Sequence, residues 1–226
     1  MMSKEEYVAR AAADDEWAPG WEAIDQAFAQ HYPGVEPPHL ASNMAARAIF
    51  GGSEFLDGVS FFPSPNGYQH LVSYGMTALY AEEASYGGDD SGWGYEMTMK
   101  VRSDTPEDAY WAADVLRNLA RYTYTSQRWF EPFQSIGGQG TPIRVGSDSL
   151  LTSLLVVPDT EILGVDTVHG RVEFLQLVGI TQAEFEWLTA DSTADSLTRS
   201  QRLAAALKED GNPLLVTDLS RTHSLF

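Results

Sequence analysis

Ser91-Gly-Trp-Gly-Tyr-Glu-Met-Thr-Met-Lys-Val-Arg102 alternates apolar and polar residues along most of its length. A period of two places the apolar side chains on one face of a β-strand and the polar side chains on the other. The apolar set is Trp93, Tyr95, Met97, Met99 and Val101. The pattern therefore predicts a sheet strand with this set in the core, and with Glu96, Thr98 and Lys100 facing water or a ligand.

A helix start follows this strand directly. Thr105-Pro106-Glu107-Asp108 combines a capping hydroxyl, a proline at the first helical position and acids in the first turn. We predict a helix from about Pro106 to Tyr124. Its apolar stripe consists of Trp111, Val115, Leu119 and Tyr122, and Leu116 flanks this stripe.

The rest of the chain mixes helical and strand patterns without strict alternation. Helices are predicted at Ser3–Ala13, Glu22–His31, Met76–Glu83 and Leu197–Glu209, and after a Thr181–Glu184 capping box through Leu188. Strands are predicted at Val59–Phe62, Tyr68–Tyr74, Leu150–Val157, Arg171–Ile180 and Pro213–Asp218, with turns at Gly51-Gly52 and Val165–Gly170. Residues 126–141 read as irregular. This set predicts an α+β fold with a central mixed sheet, organised as one domain over residues 1–226, with a core from about 19 to 226 and an N-terminal extension at 1–16.

Composition restricts the function classes. The chain has no cysteine, which excludes disulfides, cysteine-ligated zinc and thiol catalysis. Its net charge of −18 disfavours nucleic acid and anionic membranes and would attract a basic partner, although acidity can also serve solubility alone. No apolar run approaches the about 20 residues of a membrane span, so we expect a cytoplasmic protein.

Motifs for catalysis are absent from the sequence. No two of the five histidines stand at the spacing of a local metal pair, and there is no nucleophile elbow and no phosphate-binding loop. We therefore expect no enzyme, no metal and no cofactor. A hydrolase whose site is assembled from distant His, Asp and Glu residues stays open as the alternative, and Asp166 with His169 forms either an acid–base pair or local backbone hydrogen bonds.

Candidate binding residues come from an aromatic cluster at the end of the long helix and from the polar face of the first strand. Aromatic rings in an irregular segment are suited to anchor a protein partner. Glu96 is either part of a functional acid pair or a salt-bridged residue neutralised by Lys100 and Arg102. The candidates for partner binding are Tyr122, Tyr124, Trp129, Phe130 and Glu96.

Several segments, in order, resemble the N-terminal domain of the Suppressor of fused family. The two longest are Ser91–Arg102 and Asp166-Thr-Val-His-Gly-Arg-Val-Glu-Phe-Leu-Gln-Leu-Val-Gly-Ile-Thr181. Shorter ones are Ala18-Pro-Gly-Trp21, Leu56-Asp-Gly-Val-Ser60, Gln69-His-Leu-Val-Ser-Tyr-Gly75, Asn118-Leu-Ala-Arg-Tyr122 and Pro213-Leu-Leu-Val-Thr-Asp-Leu-Ser-Arg221. The resemblance spans about Pro19 to Phe226.

The resemblance implies a protein-binding domain without known catalysis. Animal members of the family carry a second domain and clamp a peptide of a zinc-finger transcription factor between the two domains by strand addition. Their peptide-contacting tyrosine corresponds to Tyr122, whereas an acidic residue that follows in the family has no counterpart in 129–134. Stand-alone bacterial members resemble immunity proteins, which implies that this chain neutralises a cognate, basic toxin.

Overall fold

The computed structural model describes residues 2–42, 55–190 and 196–226, which form an eight-stranded mixed sheet with helices on both faces. The strands are β1 (His39–Ala41), β2 (Gly58–Ser64), β3 (Tyr68–Tyr74), β4 (Asp90–Arg102), β5 (Ser135–Gly137), β6 (Leu151–Pro158), β7 (Val165–Thr167) and β8 (Gly170–Thr181). The helices are α1 (Lys4–Ala13), α2 (Pro19–His31), α3 (Tyr110–Ser126), α4 (Gln182–Thr189) and α5 (Ser196–Glu209), and 3-10 turns lie at Glu83–Ser85 and Glu107–Ala109.

The strand order is β1-β2-β3-β4-β8-β6-β5, and β7 pairs with the first part of β8. The central pair β4 and β8 is parallel, with Tyr95 opposite Glu173 and Met97 opposite Leu175, whereas the other pairs are antiparallel. Within the described part of the sheet, β1 and β5 are therefore the edge strands. The predicted α+β class with a mixed sheet is confirmed.

Two helical layers cover the sheet, and on the polar side of β4 the loops at 75–77 and 159–161 complete the cover. α3 covers one face, where Leu116 packs with Met97 and Met99. On the other face α2 covers β2, β3 and β8 through Ile24 and Phe28, and α4 and α5 cover β6 and β8. A sheet that is covered on both faces excludes water from both side-chain sets of its central strands.

The prediction for β4 is therefore half confirmed. Tyr95, Met97, Met99 and Val101 are buried, and Trp93 is half-buried. The expectation that the polar set faces water is wrong, because Glu96, Thr98 and Lys100 are all 0 % exposed. Alternation reports which residues share a face, but it does not report whether a second layer covers the polar face.

Helix α3 is rotated relative to the predicted stripe. Its buried residues are Ala112, Ala113, Leu116, Ala120 and Thr123. Trp111, Val115 and Leu119 flank this stripe as half-buried side chains, and Tyr122 is exposed. The small side chains allow the helix to approach the sheet closely, so the largest residues lie at the margin of the contact.

Some of the other local predictions are confirmed, and others are wrong where contacts with distant residues decide the structure. The β2–β3 hairpin turns at Gly67 with a φ of 74°, and the Thr181–Glu184 capping box begins α4, both as predicted. The helix predicted at Met76–Glu83 is replaced by a loop that ends in the Glu83–Ser85 turn. Pro213–Asp218 forms only a bridge between Thr217 and Val101, and Val165–Gly170 contains β7 as well as a turn. The Gly51-Gly52 turn lies outside the described residues.

Candidate functional site

An exposed aromatic surface lies where α3 ends. Tyr122 and Trp129 are 42 % and 56 % exposed and border a cavity of about 540 Å³. Leu119, Phe130 and Ile136 supply its apolar lining, and Arg128 also lines it. We call this set of six residues the Trp129 surface.

Local backbone geometry forms this surface. Gln127 caps α3 in the left-handed conformation at a φ of 57°, and its N–H donates to the Thr123 carbonyl oxygen at 2.9 Å. The chain then reverses, and the Phe130 N–H donates to the Tyr95 hydroxyl oxygen at 3.3 Å. The Phe130 ring stacks on Tyr122 with centroids 5.7 Å apart. The reversal thus buries Phe130 and leaves Trp129 on the outside.

The open edge of β5 adjoins the Trp129 surface, since Ser135, Ile136 and Gly137 line the same cavity. Ser135 lies opposite Leu155, and the Val156 N–H donates to the Gln134 carbonyl oxygen. The alternation of an antiparallel ladder then directs the backbone groups of Ile136 toward β6, and those of Ser135 and Gly137 toward the open edge. Sequence reasoning missed this strand because three residues within a glycine-rich segment carry no periodic pattern.

Two of the predicted aromatic residues are less exposed than Tyr122 and Trp129. Phe130 is 8 % exposed and belongs to the core under α3, so it supports the surface from below. Tyr124 is half-buried on a different side of α3, where it stacks on Phe55 and donates its hydroxyl to the Gly75 carbonyl oxygen at 2.5 Å. Residues two positions apart on a helix point in nearly opposite directions, which separates Tyr124 from Tyr122.

Glu96 is not available to a partner, contrary to its prediction. Its Oε1 accepts hydrogen bonds from the N–H groups of Gly75, Met76 and Thr77 and from Thr77 Oγ1, at 2.7 to 3.1 Å, and its Oε2 accepts one from Ser73 Oγ at 2.5 Å. Gly75 adopts a φ of 126°, which allows the backbone to curl around the carboxylate. Burial raises the pKa of Glu96 to about 7, although these donors act in the opposite direction. Glu96 therefore fixes the loop that follows β3.

Lys100 does not neutralise Glu96 but lies in a buried charged cluster that the sequence did not predict. Its Nζ lies 3.0 Å from Asp159 Oδ1 and 3.1 Å from Glu161 Oε2. His70 Nε2 approaches Asp159 Oδ2 at 2.9 Å, and the Tyr68 hydroxyl donates to Glu161. Arg102, the other residue predicted to neutralise Glu96, donates instead to the carbonyl oxygens of Asn66 and Gly67.

The acids of this cluster are held in their charged form. Burial alone would raise the pKa of Asp159, but its neighbours His70, Lys100 and Thr98 outweigh that effect and hold the pKa well below its usual range. The pKa of Glu161 is also lowered, since Lys100 and the hydrogen bond from Tyr68 outweigh burial. Asp159 Oδ1 further accepts the N–H groups of Glu161 and Ile162, so the cluster fixes the loop after β6.

This convergence does not form the pocket that a hydrolase would need. His70, Lys100 and Asp159 have no exposed side-chain surface, and Lys100 lies between the acids. In the part of the chain that the structure describes, no group of three His, Asp or Glu residues is arranged to hold a metal ion. The observation therefore does not favour the hydrolase alternative.

Asp166 and His169 form neither of the two arrangements considered for their turn. Asp166 pairs with Arg171 at 3.2 Å. His169 donates from Nδ1 to the distant Ala78 carbonyl oxygen at 2.8 Å, and its Nε2 lies 2.8 Å from the Tyr7 hydroxyl. The buried His169 thus connects α1 to the loop before β4.

The family model of Suppressor of fused protein (SUFU) matches residues 52–222. The chain belongs to the Suppressor of fused family. Curated Suppressor of fused homologs from Homo sapiens and Mus musculus are each 29% identical to it over 208 residues, which cover 86% of this chain and 42% of each relative. The chain thus spans less than half the length of these relatives.

Solved structures of Suppressor of fused proteins share the fold. The Drosophila protein aligns with a TM-score of 0.77 at 24% identity, over 92% of this chain and 52% of the other. A chain of the Sufu–Fu complex aligns with a TM-score of 0.76 at 23% identity, over 92% and 93%. A putative homolog from Neisseria gonorrhoeae FA 1090 aligns with a TM-score of 0.57 at 16% identity, over 92% and 97%.

None of the helices in the described ranges combines the length and the apolar character needed to cross a membrane.

Proposed function

We propose that this chain is a protein-binding domain that takes up an extended segment of its partner along the open edge of β5. The observation that carries the proposal is that this edge adjoins the Trp129 surface. A strand that adds to a sheet edge gains backbone hydrogen bonds, and adjacent pockets select its side chains. The outward backbone groups of Ser135 and Gly137 would form the backbone hydrogen bonds with the partner strand. The cavity beside Trp129 would receive one of its side chains.

The chemistry of the surface suits an apolar anchor. Large aromatic side chains that stay exposed in the free protein are typical energetic centres of protein interfaces. Tyr122 is backed by the buried Phe130, so little side-chain freedom remains to be lost when a partner binds. The membership of the Suppressor of fused family and the Sufu–Fu complex of a family member support a protein as the ligand.

Affinity capture followed by measurement of binding kinetics tests this proposal. The wild-type chain is used as bait in the source cell, the captured protein is identified and purified, and its dissociation is followed by surface plasmon resonance. We expect Trp129→Ala to raise the dissociation rate by about tenfold or more, since central aromatic residues contribute most to such interfaces. Leu163→Ala is the matched control, because Leu163 is 81 % exposed and lies outside the surface.

Two results would contradict the proposal. One is the failure of the wild-type chain to capture any protein reproducibly. The other is a dissociation rate that Trp129→Ala and Leu163→Ala leave equally unchanged while both variants remain folded by circular dichroism.

The finer proposal is that the partner is basic and that this chain acts as an immunity protein against it. Net charge supports the first part, since an excess of 32 acids over 14 basic residues favours a partner of opposite charge. If the partner is a toxin, its expression alone arrests growth, and co-expression of this chain restores growth. A captured partner whose expression leaves growth unaffected contradicts the toxin role but not the binding function.

A further inference from the structure

A second cavity lies at the opposite edge of the sheet, between α2 and strands β1 and β2. Its volume is about 360 Å³. Trp21 and Phe62 provide aromatic lining, Val35 provides apolar lining, and Asp25, Glu36 and His39 provide the polar groups. We call it the Trp21 cavity. The Trp21 cavity and the Trp129 surface therefore lie at opposite edges of the sheet.

Neighbouring residues hold the rings of this cavity in place. The His39 Nδ1 lies 2.9 Å from Ser60 Oγ, and a Cβ atom at Gly58 would lie 2.1 Å from the His39 Nε2. The imidazole therefore occupies space that only glycine at position 58 leaves free. Trp21 stacks on the buried Tyr74 with centroids 4.4 Å apart, and His39 packs against Trp21 at 5.2 Å. The cavity is thus preformed.

The charges of the cavity are negative. The Asp25 Oδ1 accepts a hydrogen bond from the Tyr74 hydroxyl at 2.7 Å, which orients this carboxylate, and Glu36 is exposed at the rim. No lysine or arginine is present among the described residues that line the cavity. Burial lowers the pKa of His39, and the positive charge of Arg117 adds to this effect. The Arg117 side chain pairs with Asp114 and donates a hydrogen bond to the Leu40 carbonyl oxygen.

We propose that the Trp21 cavity binds a lysine or arginine side chain of the protein partner. The apolar shaft of such a side chain would lie against Trp21 and Phe62, and its cationic group would pair with Asp25 and Glu36. Two carboxylates beside an aromatic ring select a cation over a neutral side chain of the same length. This proposal rests on the proposed protein-binding function and adds a second contact point, which selects a basic partner.

The first test uses a small probe and does not depend on a partner. N-acetyl-arginine methylamide is titrated into the isotope-labelled protein while the indole N–H signal of Trp21 is followed by NMR. N-acetyl-norleucine methylamide serves as the neutral probe with an apolar shaft. We expect the arginine probe to shift the Trp21 signal at millimolar concentration, and the norleucine probe to leave it nearly unchanged. Equal responses to both probes, or none to either, would overturn the proposal.

Substitutions assign the binding to the two carboxylates. Asp25→Asn retains an acceptor for the Tyr74 hydroxyl, and Glu36→Gln changes an exposed side chain, so neither is expected to unfold the protein. Each should raise the dissociation constant of the arginine probe by about fivefold to tenfold. Glu22→Gln, which removes the same charge from α2 outside the cavity, should leave it unchanged. An equal effect of all three substitutions would indicate a general charge effect and overturn the proposal.

The captured partner distinguishes this inference from the function on which it rests. If Trp129→Ala weakens binding of the partner and Glu36→Gln does not, the protein-binding function holds and the Trp21 cavity has no part in it. If the arginine probe binds but no partner is captured, the cavity is a cation site and the proposed function fails. Weaker partner binding by both variants is the expected result.

Discussion

At the scale of single residues, the buried polar side chains of β4 and β3 are satisfied by partners that are remote in sequence. Lys100 contacts Asp159 and Glu161, and Glu96 binds the loop 75–77. A buried charge is tolerated only when other groups replace the water that it loses. These residues therefore determine which loops pack onto the sheet, and they are sensitive positions for substitution.

Replacing Lys100 tests the role of the charged cluster. Lys100→Met should lower the free energy of unfolding at pH 7 by about 3–5 kcal/mol, since it leaves Asp159 and Glu161 without their cation. Lys208→Met, which removes the same charge from an exposed position on α5, should change it by less than about 0.5 kcal/mol. Urea unfolding followed by tryptophan fluorescence measures both.

The cost of Lys100→Met should depend on pH. In the wild type the folded-state pKa values of Asp159 and Glu161 are lowered, so their stabilisation is full above about pH 4.5 and is lost as the pH falls below about 4. Without Lys100 these pKa values rise. At acid pH, protonation then removes the unpaired negative charges of Asp159 and Glu161, so the variant loses less stability. The difference in unfolding free energy between the two proteins should shrink between pH 6 and pH 3.5. A constant difference over that range would show that Lys100 acts through packing and not through charge.

At the scale of secondary structure, the elements differ in how firmly they are held. The central strands β4 and β8 are paired on both sides and are covered on both faces. Among the ten residues of α1, by contrast, Tyr7 alone is buried, where it contacts Trp17, Tyr86 and His169. A helix of this length is not stable by itself in water. Tyr7 is therefore the one buried anchor of α1, beside the exposed contacts of Lys4 with Glu83 and of Arg10 with the Trp17 ring.

Tyr7→Ala should release α1 without unfolding the sheet. Hydrogen exchange measured by mass spectrometry should show the amides of Lys4–Ala13 exchanging at the rate of an unstructured chain, while β4 and β8 keep their protection. Val8→Ala, at the next position and 38 % exposed, should leave this exchange unchanged. Protection of α1 that persists in Tyr7→Ala would contradict the single-anchor interpretation.

At the scale of the whole molecule, charge and shape have separate effects on binding. The net charge of −18 creates a long-range field, whereas the Trp129 surface and the Trp21 cavity act only at contact. Long-range charge mainly changes the association rate, and buried contacts mainly change the dissociation rate. The two effects can therefore be measured independently in one experiment.

Salt should slow association of the captured partner. The Debye length falls from about 8 Å at physiological ionic strength to about 3 Å at 1 M, so the attraction between an acidic chain and a basic partner is screened. We expect the association rate, measured by stopped-flow fluorescence, to fall by about tenfold or more between low and high salt. Trp129→Ala should retain the same salt dependence. An association rate that does not change with salt would contradict the basic partner.

Local patterns in the sequence determined the elements that depend on neighbouring residues. The alternation in 91–102 predicted β4 and its apolar face, and the capping box at Thr181–Glu184 predicted the start of α4. The α+β class followed from these elements, and the exposed position of Trp129 agrees with its irregular segment. Each of these features rests on interactions within a few residues along the chain, and periodicity and caps encode such interactions directly.

Contacts between distant segments decided what the sequence alone did not. Burial of Glu96 and Lys100 depends on the loops at 75–77 and 159–161, and no pattern within β4 encodes those loops. The loop at 76–82 is held by remote partners, since the Met76 and Thr77 amides bind Glu96 and the Ala81 amide donates to the Trp17 carbonyl oxygen instead of to a helical partner. Strand β5 likewise forms against β6. The Trp21 cavity joins α2 to β1 and β2. In each case the free energy comes from a partner many residues away, so only the tertiary structure shows which groups meet.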